Sequence, residues 1–167
     1  MIFRKSTEKD LKNIMKIINE AKAFLKNNKV DQWQNGYPNE GVILKDIRNN
    51  ISYVLEDTGE IIGTTSLSFD VEETYNNIYE GKWISNGKYA VIHRIAVSNN
   101  INRKGIGTEI IKKSEEICLS KGIKNIKIDT HEDNLIMQKL LEKNSFKYCG
   151  VIYLLDGSKR IAFEKEF

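Results

Sequence analysis

Two neighbouring stretches decide the fold: Tyr-Ala-Val-Ile-His-Arg-Ile-Ala-Val at residues 89–97 and Asn-Arg-Lys-Gly-Ile-Gly-Thr at residues 102–108. The first is a nearly continuous apolar run, which is typical of a strand in the centre of a sheet. The second joins two glycines to basic residues and leads into isoleucines at helical spacing. A helix that begins there presents unpaired N–H groups, and glycines let a phosphate approach the backbone closely. The sequence therefore predicts a central strand followed by a helix start that binds phosphate.

Two other glycine-rich phosphate loops have spacings that this segment lacks. A dinucleotide-binding fingerprint needs a third glycine, and Ile110 occupies that position. A P-loop ends in Gly-Lys-Ser/Thr, whereas Gly107 is followed by Thr108 and Glu109. Glycine pairs at helix starts also occur where nothing binds. The rest of the chain is therefore needed to distinguish a phosphate-binding loop from an ordinary helix start.

The remaining chain alternates predicted strands and helices. A strand at 1–5 precedes a helix capped at Thr7, and Asn39 caps a second, shorter helix. Further strands are predicted at 51–55, 61–69, 126–130, 146–155 and 159–163, and further helices at 106–121 and from 133 or 134 to 143. The predicted order is β-α-α-β-β-β-α-β-α-β-β, a mixed α/β sheet protein.

Length and composition restrict the class of protein. The 167 residues predict a single domain over 1–167. Cys118 and Cys149 are unclustered and no secretory segment is present, which predicts free thiols and a cytoplasmic location. No apolar run approaches the roughly 18 residues of a membrane span, so we expect no membrane partner.

Charge is distributed unevenly along the chain. The net charge is only +3, which argues against a nucleic-acid partner. Residues 56–80 hold seven acidic residues and no basic one, so the rest of the chain carries 26 basic against 16 acidic residues, or +10. The acidic stretch is a candidate cation-attracting surface, and Arg103 and Lys104 belong to a basic cluster suited to phosphate. Both are equally compatible with ordinary solvated faces.

Four runs carry a resemblance to a known family: His-Arg-Ile-Ala-Val-Ser (93–98), Arg-Lys-Gly-Ile-Gly-Thr (103–108), Ile-Asp-Thr-His-Glu-Asp-Asn (128–134) and Lys-Leu-Leu-Glu-Lys-Asn-Ser-Phe (139–146). Together they resemble the GNAT superfamily of acyl-CoA-dependent N-acetyltransferases, whose core motif is (Gln/Arg)-x-x-Gly-x-(Gly/Ala). The resemblance covers nearly the whole chain, because the predicted element order is also similar to the GNAT fold. It implies that acetyl-CoA is the cosubstrate.

The resemblance also implies which residues hold that cosubstrate. The pantetheine arm would pair with the backbone of Ile95, Ala96 and Val97. The pyrophosphate would be held by the amides of Arg103, Lys104, Gly105, Ile106, Gly107 and Thr108. Asn134 matches an asparagine that commonly contacts the cofactor, and its position also suits a helix N-cap.

Three positions depart from the family pattern. Asn102 stands where Gln or Arg is usual, and Asn144-Ser145-Phe146 replaces x-Gly-Phe. Leu141 stands where many members place a tyrosine that protonates the departing thiolate, which leaves Tyr148, Tyr89, water or no acid at all. The family's direct attack in a ternary complex needs no nucleophilic cysteine, and we interpret Cys118 as a core residue.

The sequence also offers candidates for the catalytic base and for the acceptor site. His93 lies two residues before Ile95, which places both on one face of a regular strand and makes His93 the candidate base; a structural histidine is the alternative. Trp33, Tyr37 and Tyr79 are the candidate acceptor-binding residues, because aromatic faces beside carboxylates suit a cationic amine. Phe69, Tyr75, Trp83 and Tyr89 interleave with the acidic stretch in the same way, or else pack a long loop.

The function that these residues predict is acetyl transfer from acetyl-CoA to a primary amine, expected on a small molecule. The alternative is a sensor or structural module of the same fold that binds acyl-CoA without turnover. Asp129, Glu132 and Asp133 surround His131, but two distant histidines make a weak metal site, and we expect no metal. The oligomeric state has no signature here, and a homodimer is compatible with the chain.

Overall fold

The computed structural model describes residues 1–167 and contains seven strands and four α-helices. The elements are β1 (Ile2–Lys5), α1 (Leu11–Asn27), α2 (Glu40–Arg48), β2 (Ser52–Asp57), β3 (Glu60–Ser68), β4 (Ala90–Val97), α3 (Ile106–Ser120), β5 (Asn125–Thr130), α4 (Leu135–Lys143), β6 (Lys147–Tyr153) and β7 (Lys159–Glu166). Short 3-10 turns lie at Glu8–Asp10 and Glu73–Tyr75. The predicted order and the mixed α/β class are confirmed.

The strands follow the order β1-β2-β3-β4-β5-β7-β6, so the apolar run predicted to be central is the middle strand. The chain divides into two compact units. The first unit comprises residues 1–67 and 93–113, and the second comprises residues 68–92 and 114–167. The single domain over 1–167 stays a prediction. None of the four helices combines the length and apolarity that a membrane crossing requires.

In the first unit, β1, β2 and β3 form an antiparallel meander. The β2–β3 turn consists of Thr58 and Gly59 at φ 49° and 83°, the left-handed pair that a two-residue hairpin requires. Helix α2 begins where Asn39 Oδ1 accepts the Val42 N–H at 3.0 Å, as predicted for its cap. The apolar stripes of α1 and α2 pack with strand residues in one core: Ile14, Ile17, Ile18, Ile43, Ile47, Val54 and Ala96.

In the second unit, β7 lies antiparallel between β5 and β6. The start of β4 joins β5 in parallel, with Ala90 opposite Ile126 and Val91 opposite Lys127. Helix α3 ends at Ser120, and Gly122 just beyond it has a φ of 72°, the left-handed conformation that commonly follows a helix C-terminus.

The long segment at residues 69–89 has no regular strand or helix beyond one 3-10 turn and is attached to β6. Tyr79 exchanges two backbone hydrogen bonds of 2.8 Å with Val151. A Cβ at Gly81 would lie 2.0 Å from the Cys149 carbonyl oxygen, so only glycine allows this approach. The segment is thereby fixed against the β6 bulge at Cys149.

Candidate functional site

The glycine-rich loop forms the start of α3 in the first unit. Gly105 has a φ of 89°, and its carbonyl accepts the Glu109 N–H at 2.9 Å as the first bond of the helix. The amides of Ile106 and Gly107 precede that bond, so α3 itself supplies them with no acceptor. No heavy atom lies within 4 Å of where a Gly105 Cβ would be. The helix start therefore offers N–H groups, a favourable dipole and open space to an anion.

A second glycine explains why α3 lies in this place. A Cβ at Gly63 on β3 would approach Ile110 Cδ1 to 2.7 Å, Ile106 Cγ2 to 3.4 Å and the Ala96 carbonyl oxygen to 3.4 Å. Ile106 and Ile110 are buried, so only the backbone of Ile106 is available to a ligand. The missing side chain at Gly63 lets the first turns of α3 pack directly on β3.

The basic side chains around this loop are less available than their number indicates. Arg103 Nη1 donates to Asp57 Oδ2 at 2.9 Å, and Asp57 also lies 3.8 Å from the Met1 ammonium. Glu56 forms an ion pair with Arg4 at 2.9 Å. Two acids of the 56–80 stretch thus pair with the protein's own cations instead of attracting an external one.

The middle of β4 departs from a regular strand at Arg94, whose φ is 53°. A non-glycine residue in this region costs about 1–3 kcal/mol and persists only where its surroundings hold it. Ile95 and Ala96, although adjacent, are both buried. The strand is irregular at Arg94, between His93 and Ile95, so simple alternation does not show which face His93 occupies, and its role stays a prediction. His93 is half-buried, and its carbonyl accepts the Thr65 hydroxyl at 3.2 Å.

The side chain of Arg94 makes a network that the sequence analysis missed. Arg94 Nε and Nη2 donate to Asp46 Oδ2 and Oδ1 at 2.7 and 2.8 Å. Its Nη1 donates to Tyr37 Oη at 2.8 Å, and Nη2 reaches Ser66 Oγ at 3.3 Å. The available signal was an arginine within an apolar strand together with an aspartate between the core residues Ile43 and Ile47 of α2.

The three candidate acceptor residues have different surroundings. Trp33 packs against the core of the first unit, whereas Tyr37 is 44% exposed. Tyr79 belongs to the second unit, where its ring meets Tyr153 edge-on at 5.5 Å. Tyr79 and Tyr153 line an open cavity of about 280 Å³ with Glu73, Thr74, Asn77 and Leu155. Tyr37 and Tyr79 are thus accessible, whereas Trp33 is half-buried.

Two other aromatic residues of the 69–89 segment, Trp83 and Tyr89, lie against a cation of the protein itself. Lys127 Nζ lies 4.3 Å from the centre of the Trp83 ring and 4.0 Å from that of Tyr89. The same ammonium is 3.6 Å from Glu164 Oε1, and both side chains are at most 5% exposed. Tyr75 is buried beside them and donates to Asp129 Oδ2 at 2.6 Å. Tyr75, Trp83 and Tyr89 therefore pack the loop, the second of the two alternatives.

The residues considered for proton transfer to the thiolate differ in their exposure to solvent. Leu141 is fully buried, so its position belongs to the core. Tyr148 is 54% exposed, and Tyr89 Oη accepts the Glu72 N–H at 3.2 Å. Cys118 is fully buried, and burial raises the pKa of its thiol to about 12, as expected of a core residue rather than a nucleophile.

The start of α4 has the predicted cap. Asn134 Oδ1 accepts the Met137 N–H at 3.2 Å, and His131 Nδ1 accepts the Asp133 N–H at 3.0 Å in the preceding turn. His131 is thus part of a turn. The structure groups no three His, Cys, Asp or Glu side chains in an arrangement that would hold a metal ion.

Comparisons with known proteins identify the family to which this fold and helix start belong. The model of the acetyltransferase (GNAT) family matches residues 15–146. The chain belongs to this family.

Individual relatives agree with the family assignment. A GNAT-family acetyltransferase from Streptococcus agalactiae 2603 superposes with a TM-score of 0.85 at 34% identity, over 99% of this chain and 95% of that one. The S-(2-succino)cysteine N-acetyltransferase of Bacillus subtilis is 28% identical over 129 residues, 75% of this chain and 72% of that one. The PaiA N-acetyltransferase of Thermoplasma acidophilum, solved in complex with coenzyme A, shares the fold with a TM-score of 0.68 at 20% identity, over 99% and 98% of the two chains.

Proposed function

We propose that this protein transfers the acetyl group of acetyl-CoA to a primary amine of a small molecule, by direct attack within a ternary complex. The observation that carries the proposal is the start of α3, where amides without an acceptor in the helix follow a left-handed glycine with open space at its Cβ position. Members of this family use acetyl-CoA. Acetyl-CoA supplies an activated thioester, which the amine attacks.

The residues present fit the pyrophosphate of that cosubstrate. The amides from Arg103 to Thr108 supply the donors, and Gly105 leaves the approach to them open. Lys104 is exposed and free of any acidic partner given by the structure, so it is the side chain best placed to add charge. Ile95, Ala96 and Val97 would bind the pantetheine through their backbone, because two of the three side chains are buried. Asn134 would contribute beside its capping role.

An attacking amine must first lose a proton, since a lysine-like amine has a pKa of about 10.4. His93 remains the proposed base, acting directly or through water. Neither Leu141 nor Cys118 can protonate the leaving thiolate, because one has no acidic group and the other is sealed in the core. We propose that water or an exposed tyrosine performs that step.

The acceptor is proposed to carry its amine on an amino-acid-like molecule. The relative from Bacillus subtilis is named for S-(2-succino)cysteine, an amino-acid conjugate with a primary amine. Tyr37 and Tyr79 are the exposed aromatic candidates to contact such an acceptor, and Trp33 would support the segment that carries Tyr37.

Binding of the cosubstrate is tested by thermal shift. Acetyl-CoA at 100 times its dissociation constant should stabilise the protein by about 2.7 kcal/mol. Gly107→Glu should abolish this gain by placing a carboxylate at the helix start. The control is Gly87→Glu, an identical change at a glycine with nothing within 4 Å of its Cβ position. If Gly107→Glu binds acetyl-CoA as well as the control does, the proposed phosphate site is wrong.

Turnover is tested by thiol release from acetyl-CoA with a panel of amino acids, polyamines, aminoglycosides and peptide N-termini. Release with one class identifies the acceptor. His93→Ala should depress the acidic limb of the pH–rate profile if His93 is the base, and an unchanged profile would remove it from that role. Binding of acetyl-CoA without thiol release for any acceptor would favour the sensor, which the buried Leu141 makes a specific alternative.

A further inference from the structure

We propose that Arg94 and Asp46 are positioning residues that hold the Tyr37 hydroxyl as a hydrogen-bond donor to a carboxylate of the acceptor. The inference rests on the proposed acetyl transfer and adds a recognition element to it. All the residues involved belong to the first unit, and Arg94 directly precedes Ile95 in β4.

The ion pair between Arg94 and Asp46 has a fixed geometry. Arg94 and Asp46 make two parallel hydrogen bonds of 2.7 and 2.8 Å, and their side chains are only 13% and 9% exposed. A two-point contact between planar groups fixes orientation as well as distance. Ser66 Oγ, at 3.3 Å from Nη2, adds a further contact from β3. Three elements therefore define where the guanidinium lies.

The guanidinium of Arg94 keeps its charge despite its burial. Burial alone would lower the pKa of Arg94, but the neighbouring Tyr37 phenol and Asp46 carboxylate outweigh it and raise the pKa. The guanidinium therefore stays protonated, and Asp46 balances its charge. A network of this kind serves better to orient a third group than to bind a ligand's charge by itself.

The contact with Arg94 determines the direction of the Tyr37 O–H. Arg94 Nη1 donates to Tyr37 Oη at 2.8 Å, so the phenolic oxygen is an acceptor in this contact and its own O–H must point elsewhere. The tyrosine is 44% exposed, which leaves that O–H accessible from solvent. An O–H donor pairs with a group that accepts hydrogen bonds, whereas an ammonium has only donors. A carboxylate meets this requirement, and an amino acid carries one next to its amine.

The backbone conformation of Arg94 also supports a positioning role. Its φ of 53° is a conformation that arginine adopts only under constraint, and the bonds to Asp46 and Tyr37 supply the constraint. A simple core role would be met by an apolar side chain in a regular strand. The strained residue with a buried ion pair and an exposed end is the arrangement expected of a group that orients another.

The test compares acceptors that differ in carboxylate content: S-(2-succino)-L-cysteine, S-methyl-L-cysteine and S-methylcysteamine, which has none. The wild-type protein should prefer the two carboxylate-bearing amines over S-methylcysteamine by at least tenfold in kcat/KM. Tyr37→Phe should raise KM for those two about ten- to a hundredfold, the value of one hydrogen bond to a charged group. It should affect S-methylcysteamine much less than the two carboxylate-bearing amines, and it should leave the stabilisation by acetyl-CoA at the wild-type value.

The positioning role has its own readout. Asp46→Asn should raise the same KM values, while the double variant Tyr37→Phe/Asp46→Asn should be no worse than Tyr37→Phe alone, because Asp46 acts through the tyrosine. Asp31→Asn, at an exposed aspartate of the same unit, is the matched charge control and should match the wild type.

Three results would overturn the inference. They are a wild-type protein with no preference for carboxylate-bearing amines, whether or not it turns these probes over; a Tyr37→Phe variant that retains the preference; and additive effects of the two substitutions. A failure of the acetyl transfer itself is separate, because it shows as absent stabilisation by acetyl-CoA or absent thiol release across the wider amine panel.

Discussion

Replacing Lys127 with methionine tests the buried ion pair of the second unit. Lys127 contacts Trp83 and Tyr89 and lies 3.6 Å from Glu164, with both charged groups shielded from solvent. Methionine has a similar length and no charge, so it keeps most of the packing. Glu164 would then be a buried carboxylate whose remaining donors are the Ser85 N–H at 2.9 Å and the Ser85 hydroxyl at 3.3 Å.

The magnitude follows from the distances. Two unit charges 3.6 Å apart attract by about 4–5 kcal/mol at an effective dielectric constant of 20. Each desolvated cation–π contact adds about 1–2 kcal/mol. Desolvation of the ammonium, which lowers the pKa of Lys127, opposes these gains by several kcal/mol. Leaving one member of such a pair alone costs about 3–5 kcal/mol, which is the loss we expect for Lys127→Met.

The assay is urea unfolding at pH 7, followed by circular dichroism, on a double-mutant cycle with Glu164→Gln. The double variant has no buried charge at this place, so it should be more stable than Lys127→Met alone by about 2 kcal/mol. A loss below about 0.5 kcal/mol for Lys127→Met would refute the reasoning, and so would additive effects of the two substitutions. Lys139→Met on the surface of α4 is the control for removal of a lysine charge.

Two further predictions concern stability. Gly81→Ala should destabilise the protein by about 1–3 kcal/mol or more in denaturant unfolding, because its Cβ would lie 2.0 Å from the Cys149 carbonyl oxygen; Gly87→Ala, with open space around it, should be neutral. Asp10→Asn should cost about 1–2 kcal/mol at pH 7 after allowance for partial exposure of its partner Arg4. Hydrogen bonds from Arg4 lower the pKa of Asp10 below 3.8, so its contribution is present above that pH and is lost as the pH falls through the lowered pKa. The stability difference between Asp10→Asn and the wild type should therefore shrink in acid, and a constant difference from pH 7 to pH 2 would contradict this assignment.

The sequence was sufficient for the features that depend on local chemistry. Periodicity and caps gave the element order, and Asn39, the Thr58–Gly59 turn and Gly122 have the conformations that their residue types predict. The helix start at Ile106 follows from the same reasoning, because a glycine before an amphipathic run is a local signal.

Features that depend on tertiary packing were beyond the sequence. Arg94 lies in a run that predicts a regular strand, and its left-handed φ follows only from bonds to residues far along the chain. The same irregularity lies between His93 and Ile95, so the role of His93 stays a prediction. The aromatic residues at 75, 83 and 89 suited an external amine in composition, and only the three-dimensional structure shows that Lys127 occupies the faces of Trp83 and Tyr89, with Tyr75 buried beside those two rings. A type of contact can thus be predicted without its partner.

The pairing of Arg103 with Asp57 has a consequence for how a polyanion reaches the start of α3. Asp57 already serves as a counter-ion to Arg103, so this arginine contributes little to the long-range field that attracts phosphates. An approaching nucleotide meets the N–H dipoles of the helix start, which act at short range, before it can compete for the guanidinium. Association should accordingly depend less on ionic strength than the count of basic residues implies, and the loop would select ligands by fit more than by charge.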